Sequence, residues 1–398
     1  MSKALVAATL VAATALSFGG GVSAQERAPG LAPSSNSAEG GLWTTSERAE
    51  RDARRSAELN SDPRLNAYVR EVTCKVAPEY CPELRVYVMD RPAFNASAAP
   101  NGYIEVWSGL LLRAASEAEL AFVIGHEVGH YAENHSLERW NTTKGWLTAA
   151  MIVTAGVGVA GAYYQVDVSG LGDLVYLTAM SSIFSYGRGQ EAQSDEIGFK
   201  RTVAAGYAPS APARIWRSLQ AETRASTFPS VRRREAANSV FRTHPLTEAR
   251  IDALDALNAG LPQDGEEGRD RLRAAIRPHL AGWLDDEIER RDFGGVLLII
   301  DRLETGGEDL GVLEFARGEV YRQRRDDGDV LLAHEAYEKS SAYPDAPPVV
   351  WRELGDLEVK LGNPSAARAA YEKYLAAIPS ADDRWIVEDS LKSLSETT

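Results

Sequence analysis

Arg64 to Val76 carries apolar residues at helical spacing and predicts an amphipathic helix, while the apolar run Leu84 to Met89 predicts a short strand. The turn-forming Pro100-Asn101-Gly102 leads into Tyr103 to Trp107, where alternation predicts a second strand. Ile104 and Val106 would then face a core, with Tyr103, Glu105 and Trp107 on the other side. Ser116-Glu117-Ala118-Glu119 has capping-box spacing, with Glu119 placed to reach back to the Ser116 amide. Leu120 to His130 continues with helical periodicity and no proline, and a further helix is expected from Arg188 through Phe199. Ahead of all this, Glu47 to Leu59 is charged and helix-permissive. Gln25 to Gly41 is rich in Pro, Gly, Ser and Ala, so residues 25–46 read as a flexible lead-in.

The start of the chain has a different pattern. Lys3 precedes the apolar run Ala4 to Ala15, and Val22-Ser23-Ala24 offers small residues for cleavage. That order predicts a secretory signal peptide over residues 1–24 and places the protein in the periplasm. A second uncharged run, Leu147 to Tyr164, raises the question of a membrane span. One span there would put His130 and Glu191 on opposite sides of a bilayer. The only partner for a hairpin, Leu171 to Phe184, is short and contains Asp173. A packed or mobile helical insert is therefore expected, with contact to a membrane surface still open to it.

The net charge of −14 narrows the partners, and removing Lys3 with the leader takes it to −15. So acidic a chain gains nothing from phosphate counterion release, which excludes nucleic acid as a partner. Cys74 and Cys81 are the only cysteines, and in an exported chain such a pair is expected to form a disulfide.

The C-terminal third carries a repeat. Ala336-Tyr337-Glu338-Lys339 recurs as Ala370-Tyr371-Glu372-Lys373, 34 residues on. The same offset links Gly294, Gly328 and Gly362, and links Trp351 to Trp385 and, doubled, back to Trp283. With Leu354-Gly355, Ala367 and Pro379 in order, this period resembles the tetratricopeptide repeat and implies a short helical solenoid over residues 269–398. The Gly-, Pro- and acid-containing stretch 258–268 is the expected linker from a first domain at 47–257.

The strongest chemical signal is His126-Glu127-Val128-Gly129-His130. Residues four apart share a helix face, so both imidazoles can reach one ion, and Glu127 can reach a water beside it. Zinc polarises a scissile carbonyl and acidifies water, with Glu127 as general base. A catalytic zinc takes three protein ligands and leaves one position open. Arg188-Gly-Gln-Glu191-Ala-Gln-Ser-Asp195 supplies two carboxylates four apart, one to ligate and one to orient a histidine, unless the segment is simply a solvated acidic face.

Read in order, several elements resemble the gluzincin metallopeptidases of the Oma, HtpX and prenyl-protein protease type, a family that includes the periplasmic β-barrel-assembly-enhancing protease. They are Asn95-Ala-Ser-Ala-Ala-Pro100, Gly102 to Leu111, Glu119-Leu-Ala, His126 to His130, Arg188 to Asp195, Ala205-Gly-Tyr-Ala-Pro209 and His244-Pro-Leu-Thr-Glu-Ala-Arg250-Ile. Gly187 and Ser194 depart from the family pattern, each small for small.

The resemblance implies that Glu191 is the third zinc ligand, with Asp195 and Arg250 behind the ligands. It places His244 on a loop near the active site, where three roles are open: donor to the oxyanion, resting occupant of the fourth zinc position, or a packed residue at a helix entrance. It further implies an α+β fold, mostly helical with a small sheet, and proteolysis of misfolded or misassembled envelope proteins. Substrate is expected as an added strand beside Tyr103, Glu105 and Trp107. The repeats would contact outer-membrane assembly machinery. An alternative function is a periplasmic chaperone or assembly adaptor with a latent peptidase.

Overall fold

The computed structural model describes residues 27–142, 186–233, 244 and 246–396. The expected leader at 1–24, the expected helical insert at 147–184 and Pro245 lie outside these residues. Helix α1 (Ala38–Ala53) starts at Ser37, whose hydroxyl accepts from the Gly40 amide. Helix α2 (Pro63–Val76) is capped by Asp62, with Pro63 in the first turn, where a missing N–H costs no helical bond. Three strands follow, β1 (Arg85–Met89), β2 (Ala96–Ala98) and β3 (Tyr103–Trp107), in the order β1-β3-β2. β1 runs parallel to β3 and β2 antiparallel to it.

Helices α3 (Ser108–Arg113), α4 (Glu117–Ala132), α5 (Arg188–Ala204), α6 (Ala211–Ala225), α7 (Pro229–Arg233) and α8 (Glu248–Asn258) complete the first half. The rest is helical: α9 (Arg269–Ile276), α10 (Leu280–Glu289), α11 (Phe293–Glu304), α12 (Leu310–Arg324), α13 (Asp329–Ser341), α14 (Val350–Leu361), α15 (Pro364–Ala377) and α16 (Arg384–Glu396). Among the described residues no helix is long and apolar enough to cross a membrane. Cys74 and Cys81 are joined in a disulfide at the end of α2.

The lead-in is not flexible where it is described. The Arg27 amide donates to the Ala132 carbonyl at the end of α4 (2.7 Å), and the Tyr80 hydroxyl donates to the Arg27 carbonyl (2.8 Å). The Arg27 guanidinium pairs with Glu39 and lies 4.6 Å from the Tyr131 ring centroid. Of the glycines that made this stretch look like a linker, Gly40 is there for contact: a Cβ on it would fall 2.3 Å from the Ser34 carbonyl oxygen. Strand β2 also escaped the pattern, because Ala-Ser-Ala has little intrinsic preference for a strand. Glu119 does cap its helix, one residue earlier than expected: its Oε2 accepts from Ala115 N (2.8 Å) rather than from Ser116.

One apolar core runs from Leu65 to Val320. Leu272, Ile276, Leu280, Trp283, Ile288 and Ile299 are all buried in it, so α9 to α11 pack as part of the first domain. The stretch 258–268 is stapled down as well, with the Ala208 amide donating to the Glu266 carbonyl (3.0 Å) and the Glu266 amide to the Gly206 carbonyl (2.9 Å). Arg113 of α3 lies buried between Glu222 of α6 and Glu287 of α10, a charge cluster that ties the two halves together. A small separate cluster lies between α1 and the sheet (Ala53, Met89, Ala99, Tyr103), and in the C-terminal half separate cores begin only with α13.

The repeat register is partly preserved. Gly328 and Gly362 are equivalent, each with φ near +80° between paired helices (88° and 79°). Gly294 is not: it lies inside α11, where a Cβ would meet the Ala225 carbonyl oxygen at 1.9 Å. Trp283 is buried and donates to Asp90 (2.9 Å), whereas Trp385 is 70% exposed, so the tryptophan spacing marks no shared role.

A chain ending at Asn258 should expose this core and lose its cooperative thermal transition, whereas one ending at Arg325 should melt as a single unit. Differential scanning calorimetry of the two truncations checks where the packing divides.

Candidate metal centre

All 16 residues of α4 are buried, which a helix reaches only when neighbours cover every face. The closest is α5. A Cβ on Gly198 would lie 2.8 Å from the His126 backbone nitrogen, and one on Gly129 would lie 3.2 Å from the Ser194 Cα. These small residues let the two backbones touch, so Glu191 and Asp195, four apart on one face of α5, reach the two α4 histidines.

His126, His130, Glu191 and His244 are all buried, and one ligand atom from each lies within 4.8 Å of the others. The two Nε2 atoms of His126 and His130 are 3.1 Å apart. Glu191 lies 3.6 Å from His126 Nε2 through Oε2 and 3.5 Å from His130 Nε2 through Oε1. His244 Nδ1 is 3.0 Å from Glu191 Oε1 and 3.3 Å from His126 Nε2.

The far side of each ring is engaged. His126 Nδ1 is 3.0 Å from Asp195 Oδ1, and a carboxylate there fixes the proton on Nδ1 and leaves Nε2 bare. Arg250 grips Asp195 with Nε (2.6 Å) and Nη2 (2.8 Å), and its Nη1 lies 2.7 Å from Glu191 Oε2. Burial opposes the charge on Asp195, but Arg250 outweighs it and holds the carboxyl below its usual range. Burial likewise opposes charge on Glu191, and the surrounding histidines outweigh it and drive its carboxyl down. Burial depresses His130 well below the usual imidazole value, which keeps it neutral.

Three contributors were not legible beforehand. His135 Nδ1 sits 2.9 Å from His130 Nδ1, and its Nε2 is 3.2 Å from Gln193 Oε1. Its five-residue spacing from His130 was the available signal. Tyr186 stacks on the His130 ring with centroids 3.7 Å apart and bonds Ser136 through its hydroxyl. Trp216 of α6 packs edge-on to His126 and donates to Asp195 Oδ1 at 3.4 Å. Nothing in the local sequence of Tyr186 or Trp216 marks them.

Glu127 faces a cleft of about 490 Å³ together with His244 and Tyr186. Burial raises its carboxyl above the usual range, against the pull of His244 and His126. His244 Nε2 is 3.7 Å from Glu127 Oε1. Burial disfavours charge on His244, yet the carboxylates of Glu127 and Glu191 together raise it above the ordinary imidazole value.

The expected docking strand is corrected here. β3 is paired on both sides, to β1 and to β2, so no strand can add beside Tyr103 to Trp107. Instead Glu105 is the hub of a network, accepting from the Tyr103 hydroxyl, from Trp107 Nε1 (2.8 Å) and from Arg91 Nη1 (3.0 Å). Tyr103 and Glu105 still line the cleft, but Trp107 does not. The outer side of β1 is covered by residues 58–60, which leaves β2 as the free edge among the described residues. Asn95 and Ala99 bond inward to β3, so the polar backbone groups of Ala96 and Ala98 point outward.

A family model described as peptidase family M48 matches residues 59–258, just over half of the chain. The chain belongs to peptidase family M48. The M48 chain is similar to the β-barrel assembly-enhancing protease of Yersinia pestis, 25% identical over 232 residues that cover 57% of this chain and 46% of that protein. It is 24% identical over 312 residues to the β-barrel assembly-enhancing protease of Escherichia coli strain K12, covering 77% of this chain and 58% of the relative. The mitochondrial metalloendopeptidase OMA1 of Arabidopsis thaliana is 35% identical over 138 residues, 34% of this chain and 25% of that one. The M48 chain thus spans less than two thirds of each of these relatives.

The donor set fits a divalent cation. With Nδ1 of both rings occupied, His126 and His130 turn two bare Nε2 atoms toward each other, an arrangement that is repulsive without a positive charge between them. The charge balance agrees: among the described residues the buried carboxylates Glu127, Glu191 and Asp195 outnumber Arg250, the one buried Arg or Lys beside them. Replacing His135 with Phe removes the acceptor that orients His130. It should weaken divalent metal binding by about 10–100-fold in a chelator-competition titration, while His135→Asn, which keeps an acceptor, should recover part of it.

Proposed function

We propose that this chain is a zinc-dependent endopeptidase, exported to the periplasm, that cleaves unfolded or misassembled envelope proteins. The observation that carries the reading is the convergence of His126, His130 and Glu191 on one point, with the buried carboxylate of Glu127 between that point and the free edge of β2. Two nitrogens and one carboxylate oxygen are a usual catalytic zinc set. The support for export is the leader-like pattern at residues 1–24 together with the Cys74–Cys81 disulfide, which suits an oxidising compartment. The β-barrel assembly-enhancing proteases among its relatives support the choice of envelope proteins as substrate.

His126, His130 and Glu191 would hold the zinc, which when bound polarises the scissile carbonyl and acidifies the attacking water. Asp195 and His135 keep the two rings in the tautomer that offers Nε2. A substrate strand adds to β2 through the outward backbone groups of Ala96 and Ala98, so recognition reads backbone more than sequence. Glu127 takes the proton from water and delivers it to the leaving amine; its raised pKa suits it to both steps near neutral pH.

His244 occupies the fourth donor position and stands between Glu191 and Glu127. In that place it excludes the water that Glu127 must activate, so the enzyme rests shut until the His244 loop moves. The helix pairs α12–α13 and α14–α15 act as tetratricopeptide-type repeats, in which Gly318 and Gly355 accept the Tyr337 and Tyr371 rings of the partner helix. Exposed Leu331 and Trp385 give these repeats an apolar surface for assembly machinery.

Glu191→Ala should remove both metal and proteolysis, whereas Glu127→Gln should keep the metal and lower cleavage of an unfolded protein by about 10²–10⁴-fold. Metal analysis beside a casein-degradation assay checks this, and full metal in Glu191→Ala refutes the ligand set. A cellular phenotype that survives Glu127→Gln would favour the adaptor reading instead.

His244→Ala should raise basal cleavage with zinc still bound. Activity that falls with zinc intact would make His244 a transition-state donor.

A further inference from the structure

The cleft that holds Glu127 has a second wall that neither the family match nor the zinc chemistry assigns. Leu42, Thr45, Ser46, Ala49 and Asp52 line it from α1, and this spacing of three and four residues is a single helix face. Opposite them stand Ala96, Ala98 and Ala99 of the β2 segment. A volume of about 490 Å³ lies in the range of pockets that enclose a ligand, on the order of 300–1,000 Å³, and the alanines on both sides are what leave it open.

The wall is fixed. Glu50 accepts from Arg85 Nε and Nη2 (2.7 Å each), from the Tyr87 hydroxyl (3.0 Å) and from Asn101 Nδ2 (3.1 Å). Ahead of the helix, Arg27 is bonded to the end of α4. Helix α1 is thus tied to the sheet from one side and to the metal-centre helix from the other. A bound chain cannot push it away cheaply.

We propose that α1 determines side-chain specificity: a bulky apolar residue of the bound polypeptide inserts between Ala49 and Ala99, and residue 49 sets the size accepted. A strand paired to β2 sends alternate side chains to opposite faces of the sheet. Those on the α4 face lie toward the metal centre, and those on the other face meet α1, whose Ala53 already packs against Ala99 and Tyr103. The lining of Leu42, Ala49 and Ala99 selects an aliphatic or aromatic group there, while Thr45, Arg48 and Asp52 add polar and charged groups to the same helix face.

This inference rests on the peptidase reading for its ligand, but binding tests it without turnover. In the Glu127→Gln background, loaded with zinc, fluorescent peptides of one sequence carrying Leu or Gly at the inserted position are titrated by anisotropy. Leu is expected to bind at least about tenfold more tightly than Gly, and the series Ala49→Val, Ala49→Leu, Ala49→Phe should erase that preference in order of added volume. Zinc content and melting temperature identify any member of the series that fails to fold, and Ala49→Val, the smallest change, still reports the trend. Absence of binding, or a Leu-over-Gly preference untouched by bulk at position 49, overturns the proposal. Inert wild-type enzyme alongside a preference that tracks position 49 would instead refute the peptidase reading and leave α1 as a peptide-selecting wall.

Discussion

Everything at the metal centre depends on how closely α4 and α5 approach. Two helices with ordinary side chains between them sit 8–10 Å apart on average. Here Gly125, Gly129, Ser194 and Gly198 leave backbone against backbone, and a single Cβ at Gly198 would strike the His126 amide. With larger residues at the seam, Glu191 would stand off from the histidines and Asp195 would lose the His126 ring. Glycine weakens each helix by itself, roughly 1 kcal/mol per position relative to alanine. That cost is offset by burial on all sides, because α4 is packed against α2, α5, α6 and the sheet.

The bracing extends beyond the first half of the chain. Helix α6 carries Trp216 to the Asp195–His126 pair, and the same helix ends against α11, with Ser226 donating to Asp292 (2.7 Å) and Gly294 pressed on the Ala225 carbonyl. Arg113 adds a buried charge link from α3 to α6 and α10. Removing one partner from such a cluster leaves uncompensated buried charge, typically 3–5 kcal/mol. The helices that begin the C-terminal segment therefore help hold the site, and only the later pairs are free to act as a separate module.

These features differ in how well they could be read from residues alone. The histidine pair, Glu127 and the carboxylates four apart were visible because their chemistry fixes their spacing on a helix. So were α2, β1 and β3, whose apolar periods are regular. What escaped has few local marks. Strand β2 is alanine and serine, and it exists because β3 offers a partner. Helix α1 begins among glycines that resemble a linker until Ser34 is seen lying against Gly40. The shared core over 258–268 stayed hidden because Gly, Pro and acid residues signal a loop without saying whether it is stapled to Gly206 and Ala208. His135, Tyr186 and Trp216 reach the site only through tertiary contact.

The buried charge connects the metal to the resting state. The buried carboxylates Glu127, Glu191 and Asp195 outnumber Arg250 in a volume that water does not screen. Two remedies fit the same space. A divalent cation at His126, His130 and Glu191 neutralises the excess directly. Without it, a proton can offset part of the excess, and Glu127 and His244, which lie against each other, both have a raised affinity for one. Those are also the residues proposed to act in catalysis, Glu127 by accepting a proton and His244 by leaving the cleft. A cation there would offset the carboxylate field that raises His244, whereas Glu127 is raised chiefly by its burial. The arrangement that fits a divalent cation thus also places Glu127 and His244 beside it, on the cleft that opens toward β2.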